Sequence, residues 1–169
     1  MSAEQTTDGP DDLIARLEQE GEVAADYVEE LLDIADLDGD IDIEIRDERV
    51  CVSVVAEEGD DRLEDLVGED GRTLDSLQEL VRLAVLAATG RRSRLLLDVA
   101  GYRAERDRRL RSVAGEAVER ARAEGGRVHL DPMSAYERKI VHDVVAEAGL
   151  TSESEGEGPS RHVVVSADD

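Results

Sequence analysis

Two runs of β-branched residues, Ile41, Ile43 and Ile45 followed by Val50, Val52, Val54 and Val55, narrow the fold more than any other feature of the chain. Apolar side chains at every second position suit a strand with one buried face, and the polar stretch between the runs, Arg46-Asp47-Glu48-Arg49, is short enough to predict a hairpin. On either side the period turns helical. Upstream, Pro10-Asp11-Asp12 can cap a helix whose Leu13, Leu17, Ala24, Tyr27, Val28, Leu31, Leu32 and Ala35 fall mostly on one stripe, ending near residues 38–40. Downstream, a short helix is expected over about 60–67, then Gly68-Glu69-Asp70-Gly71, then a longer helix over about 73–89 with Leu74, Leu77, Leu80, Val81, Ala84 and Val85 inward. Gly90 ends that helix and residues 95–99 form a strand, so the order is helix, strand, strand, helix, G-x-x-G, helix, strand, an α+β pattern.

A second unit begins near Tyr102. A long arginine-rich helix, with Leu110, Val113, Ala114, Ala117, Val118 and Ala121 as its inner stripe, stops at Gly125-Gly126. A short strand follows at 128–130. Asp131-Pro132 leads into a helix that buries Ile140, Val141, Val144 and Val145, and the chain closes with short strands near 151–154 and 162–166 around a glycine-rich turn. The expected division is a flexible acidic leader over 1–10, one domain over 11–100 and another over 101–169.

The net charge of −23 opposes binding to a phosphate backbone, yet its distribution is uneven. Residues 1–71 hold 4 basic against 26 acidic residues, whereas residues 72–127 hold 13 against 8. The densest stretch, 91–111, offers Arg91, Arg92, Arg94, Arg103, Arg106, Arg108, Arg109 and Arg111 as a local cationic surface. Cys51 is the only cysteine, which excludes a disulfide framework and points to a reducing, cytoplasmic home; neither a signal peptide nor a membrane span is expected.

Two places carry binding chemistry. Gly68 and Gly71 bracket a loop between helices, where the N–H groups of Gly71, Arg72 and Thr73 would point from a helix start at a phosphate. Arg138-Lys139-Ile140-Val141-His142 places a guanidinium and an imidazole one turn apart on one helix face, the first suited to bidentate phosphate contact and the second to donation or base stacking. Lys139 and Arg161 add cations beside them. His129 and His162 are read as too scattered for a metal site, and Asp36-Leu37-Asp38-Gly39-Asp40 lacks the spacing of a calcium loop. Catalysis has no support: there is no phosphate-binding lysine loop, nucleophile elbow or H-E-x-x-H. Without Phe or Trp, an aromatic stacking platform is also disfavoured.

The first unit's order, with G-x-x-G between two helices, resembles the bacterial (type II) KH domain, which clamps the backbone of single-stranded nucleic acid. The second resembles the small single-stranded nucleic-acid-binding domain named for an Arg and a His separated by three residues, here termed the RxxxH domain. That likeness rests on Met133-Ser134-Ala135-Tyr136-Glu137, Arg138, His142, Ser154-Glu155-Gly156-Glu157-Gly158-Pro159-Ser160-Arg161 and Val163-Val164-Val165. The pairing looks like the Jag family (SpoIIIJ-associated protein) over roughly residues 25–166, with Arg72-Thr73-Leu74-Asp75-Ser76-Leu77-Gln78 and Asp98-Val99-Ala100-Gly101-Tyr102-Arg103 also matching. Two departures stand out: the separate amino-terminal domain of many relatives is not expected, and Glu69-Asp70 occupies loop positions that are often basic. The resemblance implies a non-enzymatic single-stranded RNA binder without cofactor, a post-transcriptional regulator or RNA chaperone. Together, the charge distribution and the resemblance give as expected contacts Gly68, Gly71, Arg72, Thr73, Arg91, Arg92, Arg94, Arg138, Lys139, His142 and Arg161. The resemblance also implies a small KH protein and a membrane-protein insertase as partners. The rival class is an acidic adaptor for a basic segment of that insertase, linked to membrane-protein insertion or cell-envelope control, with weak nucleic-acid binding.

Overall fold

A computed structural model of the chain describes residues 9–56 and 62–167, which fall into two compact units, one reaching Tyr102 and the other starting at Arg103. Most of the expected acidic leader, and the first part of the expected helix over 60–67, lie outside the described residues.

The first unit opens with α1 (Pro10–Ala35), capped at Gly9, whose N–H donates to the Asp12 carboxylate at 3.3 Å, and ended by Asp36 in a left-handed conformation. Strands β1 (Asp40–Arg46) and β2 (Arg49–Val55) pair antiparallel around Asp47 and Glu48, both at positive φ, the backbone of a tight two-residue hairpin turn. The helix α2 (Glu64–Val67) is short and a 3-10 turn (Glu69–Gly71) runs into α3 (Arg72–Thr89), after which β3 (Leu96–Val99) pairs parallel to β2. The sheet order is β1-β2-β3. Leu17, Ala24, Val28 and Leu32 of α1 and Leu74, Leu77, Val81 and Val85 of α3 join Val50, Val52, Val54, Leu97 and Val99 in one core.

Four expected inner positions differ. Leu80 is 47% exposed, Ile43 and Ile45 are 45% and 42% exposed because β1 is an edge strand, and Ala35 sits beyond the covered part of α1. The α1 stripe instead includes Glu20 and Gly21. Glu20 accepts a 2.7 Å hydrogen bond from the Ser93 hydroxyl, whose oxygen in turn accepts from the Leu95 N–H at 3.1 Å, so the buried carboxylate is satisfied. On the sheet's other face, Asp42, Ser53 and Asp98 fall in register across the three strands, with Glu44 on the same side of β1.

In the second unit α4 (Tyr102–Glu124), whose first residue still belongs to the first unit, is followed by β4 (Arg127–His129), α5 (Ala135–Glu147), β5 (Thr151–Glu155), a 3-10 turn (Gly158–Ser160) and β6 (His162–Ser166). The strands form an antiparallel sheet of order β4-β6-β5. Ala114, Ala117, Val118 and Ala121 of α4, Val141 and Val145 of α5, and Val128, Val163 and Val165 of the sheet make its core. Small alanines let α4 approach closely. Val113, expected in this stripe, is 37% exposed, and Val144 only flanks the core. Among the described residues no helix is long and apolar enough to cross a membrane.

Candidate nucleic-acid interface

The start of α5 is held by a reciprocal cap. The Glu137 N–H donates to the Ser134 hydroxyl at 3.3 Å and the Glu137 carboxylate accepts the Ser134 N–H at 2.9 Å, two helix-end donors satisfied together. Arg106 of α4 adds an ion pair to the same carboxylate at 2.7 Å. Burial pushes the Glu137 carboxyl up, but the hydrogen bonds from Arg106 and Ser134 outweigh it and hold the group below its usual range.

One turn further, Arg138 and His142 share the face that meets β5 and the turn before α5. The Arg138 guanidinium donates through Nη1 to the Met133 carbonyl at 2.9 Å, while its Nε is buried without a hydrogen-bond partner. The Met133 N–H donates to the Arg161 carbonyl at 3.1 Å, and Arg161 itself donates to the Gly156 carbonyl at 3.1 Å. Met133 thus bonds both to the Arg138 guanidinium and to the Arg161 backbone. His142 has both ring nitrogens engaged, Nδ1 with the Ser152 hydroxyl at 2.6 Å and Nε2 with the Ser154 hydroxyl at 2.9 Å. A neutral imidazole donates at one nitrogen and accepts at the other, and a hydroxyl can answer either. The imidazole expected to meet a ligand is thus a ring clasped by two serines, neither of which the sequence reading paired with it. Lys139 is exposed and bridges Asp143 at 2.9 Å.

A cavity of about 340 Å³ in the same unit is lined by Arg106, Arg109 and Arg120 of α4 together with His129 and Met133. Arg109 is exposed, whereas Arg108 and Arg111 pair with Glu105 and Asp107 on the surface of α4. Arg120 was missed from sequence, because it lies outside the dense arginine stretch and joins it only through the helix period.

The glycine loop of the first unit is built differently. Gly68, at φ 71° and ψ −176°, occupies a region open essentially to glycine alone, and a Cβ there would lie 2.1 Å from the Thr73 hydroxyl oxygen. Gly71, at φ 76°, is buried, and its Cβ would lie 2.6 Å from the Tyr102 ring. Of the amides expected to face a phosphate, Gly71 N–H donates to the Gly68 carbonyl at 3.4 Å and Arg72 N–H to the Glu69 carbonyl. Glu69, Asp70, Arg72 and Thr73 are exposed. Arg91 donates to the Gln19 side chain at 3.0 Å and keeps a buried, unpartnered Nε, while Arg92 and Arg94 are exposed. The arginine stretch 91–111 is accordingly divided between the two units.

His129 and His162, read from sequence as scattered, stand 3.2 Å apart between Nδ1 and Nε2. The β4-β6 register, which local sequence does not carry, is what joins them.

Residues 108–167 match the R-3-H domain family, whose name abbreviates the spacing of Arg and His in the RxxxH motif. That span holds most of α4, all of the second sheet, Arg138, His142, Ser152, Ser154 and Arg161. Beyond this domain match, the chain is 33% identical over 144 residues to an RNA-binding protein KhpB of Clostridium symbiosum, 85% of this chain and 64% of that protein. It is 37% identical over 101 residues to the protein of that name from Lactiplantibacillus plantarum, covering 59% of this chain and 31% of the relative. Against that of Bacillus subtilis it is 33% identical over 104 residues, 60% and 50% of the two chains. The chain thus spans between about a third and two thirds of the length of these relatives.

Proposed function

We propose that the chain binds single-stranded RNA with modest sequence preference, as a post-transcriptional regulator or RNA chaperone, and that its second unit carries most of the contact. The observation that carries this reading is the network in which Met133 bonds to the Arg138 guanidinium and to the Arg161 backbone, and His142 is held by Ser152 and Ser154. It offers guanidinium forks and oriented hydroxyls, donors suited to phosphate and to the 2′-hydroxyl of RNA. His142 acts through the serines it orients, and Arg138, already half-satisfied by a carbonyl, has little side-chain entropy left to lose on binding. Arg109 and Arg120 extend the cationic surface along α4. The domain match over 108–167 and the name shared by the relatives support the same reading.

For the first unit the mixed sheet and the paired helices around residues 68–71 support the type II KH reading. Its role is chiefly scaffold. Two loop amides are spent inside the turn, Glu69 and Asp70 face solvent, and the open sheet face carries Asp42, Glu44 and Asp98. Acids at short range oppose phosphate by on the order of 1 kcal/mol each at an effective dielectric near 20.

The test is binding of a short single-stranded oligoribonucleotide. Replacing Arg138 and His142 together by Ala should weaken it by roughly tenfold or more, about 1.4 kcal/mol, with circular dichroism unchanged. The wild-type affinity should fall with salt at a log–log slope of about −2 to −4, the signature of about three to five neutralised phosphates on a single strand. Equal affinity in a folded double variant refutes the reading. Loss of a basic protein partner on neutralising acids of α1, with RNA affinity intact, would place the adaptor role first.

A further inference from the structure

We infer that His129, His162 and Glu155 form a binding site for a divalent transition-metal ion, with zinc the best match to the donor set. The three residues meet because β6 lies between β4 and β5. His162 is the cross-strand partner of Glu155, and His129 pairs with Val164, one pleat along from His162 on the same face. Val163 and Val165 point the other way into the core, and Ser152 and Ser154 point with them toward His142. The metal-ligating face is therefore opposite the face that holds His142.

One ligand atom from each residue lies within 4.8 Å of the others, and this is the only such group of three among the described residues. His129 Nδ1 and His162 Nε2 are 3.2 Å apart. Two nitrogens bound to one tetrahedral zinc at about 2.0–2.1 Å are separated by about 3.3 Å, so the spacing already suits zinc and the rings need only turn their lone pairs toward a common point.

The tautomer favours coordination. His162 Nδ1 lies 2.9 Å from the Ser160 carbonyl, which can only accept, so Nδ1 carries the proton and Nε2 presents its lone pair toward His129. A carbonyl behind a ligating imidazole is the usual support that fixes ring orientation in metal sites. Without metal, His129 Nδ1–H donates to that lone pair. With metal, the His129 proton shifts to Nε2 and Nδ1 becomes the second ligand, so the two rings keep the same number of protons. Glu155 accepts from Arg127, but Arg127 also reaches Glu153 at 3.9 Å, leaving an alternative carboxylate for the guanidinium when Glu155 turns toward the ion. Two imidazoles and one carboxylate suit zinc, nickel or copper, whereas magnesium and calcium prefer all-oxygen shells.

The chain's 43 acidic residues bind cations diffusely, so the readout must be specific to the rings. In the whole chain, histidine side-chain nitrogen resonances followed by NMR during zinc chloride titration should shift for His129 and His162 and stay fixed for His142 at one equivalent. Calorimetry should give one zinc per chain, weakened at least tenfold by His129→Gln with His162→Gln and severalfold by Glu155→Gln, with the response to magnesium chloride unchanged. Ring resonances of His129 and His162 that do not move at saturating zinc overturn the site, whatever the folding of the variants. So does equal zinc affinity in a folded double variant. The RNA-binding reading is independent of either result.

Discussion

Gly71 in the first unit and His142 in the second occupy equivalent places in a ligand-binding reading, and the fold employs the two in different ways. Gly71 is walled by the Tyr102 ring, and the amides beside it close a 3-10 turn, so its missing side chain is accounted for by packing. His142 is also hydrogen-bonded internally, yet its partners are hydroxyls on a strand, groups that can rotate and exchange partners when a ligand arrives. A position explained wholly by packing gives no support for a ligand; a position whose polar network has spare capacity does. On that criterion the proposed RNA contact falls to the second unit.

The comparison breaks first at Gly71. Gly71→Ala should destabilise the first unit by about 2–5 kcal/mol, from a left-handed residue bearing a Cβ and from the collision with Tyr102. Urea unfolding measures it, and an unchanged midpoint would mean that the glycine is kept for something other than packing. Second in size is Glu137→Gln, which removes the charge shared by the α5 cap and Arg106 and should cost about 1–2 kcal/mol at neutral pH. Because the folded carboxyl lies below its ordinary value of 4.5, its contribution is fully present above that pH and is lost as pH falls through the depressed folded value. The stability gap between wild type and Glu137→Gln should therefore close in acid. Smallest is the exchange of Glu69 and Asp70 for Lys, which reverses charge beside the glycine loop and should raise RNA affinity by a few-fold at low salt. An unaltered affinity there would leave the glycine loop out of the interface.

Elements governed by local periodicity were legible in the chain: the hairpin, α1, α3 and the arginine-rich α4 follow from spacing two or spacing three to four. What could not be read is whatever depends on strand order. The clasp of His142 joins α5 to β5 across ten residues, and the meeting of His129 with His162 follows from β6 lying in the middle of its sheet. The exposure of Ile43 and Ile45 has the same origin, since an alternating strand carries no local mark of being at an edge. Arg106 illustrates a further limit. Its bond to Glu137 depends on how α4 and α5 cross, which no spacing within either helix encodes.

The parallel pairing of β3 with β2 has a consequence for synthesis. Hairpin β1-β2 can close as soon as Val55 is made, but the second edge of β2 finds its partner only when Leu96–Val99 has been translated. At about 5–20 residues per second, that leaves several seconds in which the Cys51–Val54 edge is open on the ribosome. Nascent chains at high density would find one another through that edge, so slow decoding after the hairpin should lower soluble yield, and fast decoding across α3 should restore it.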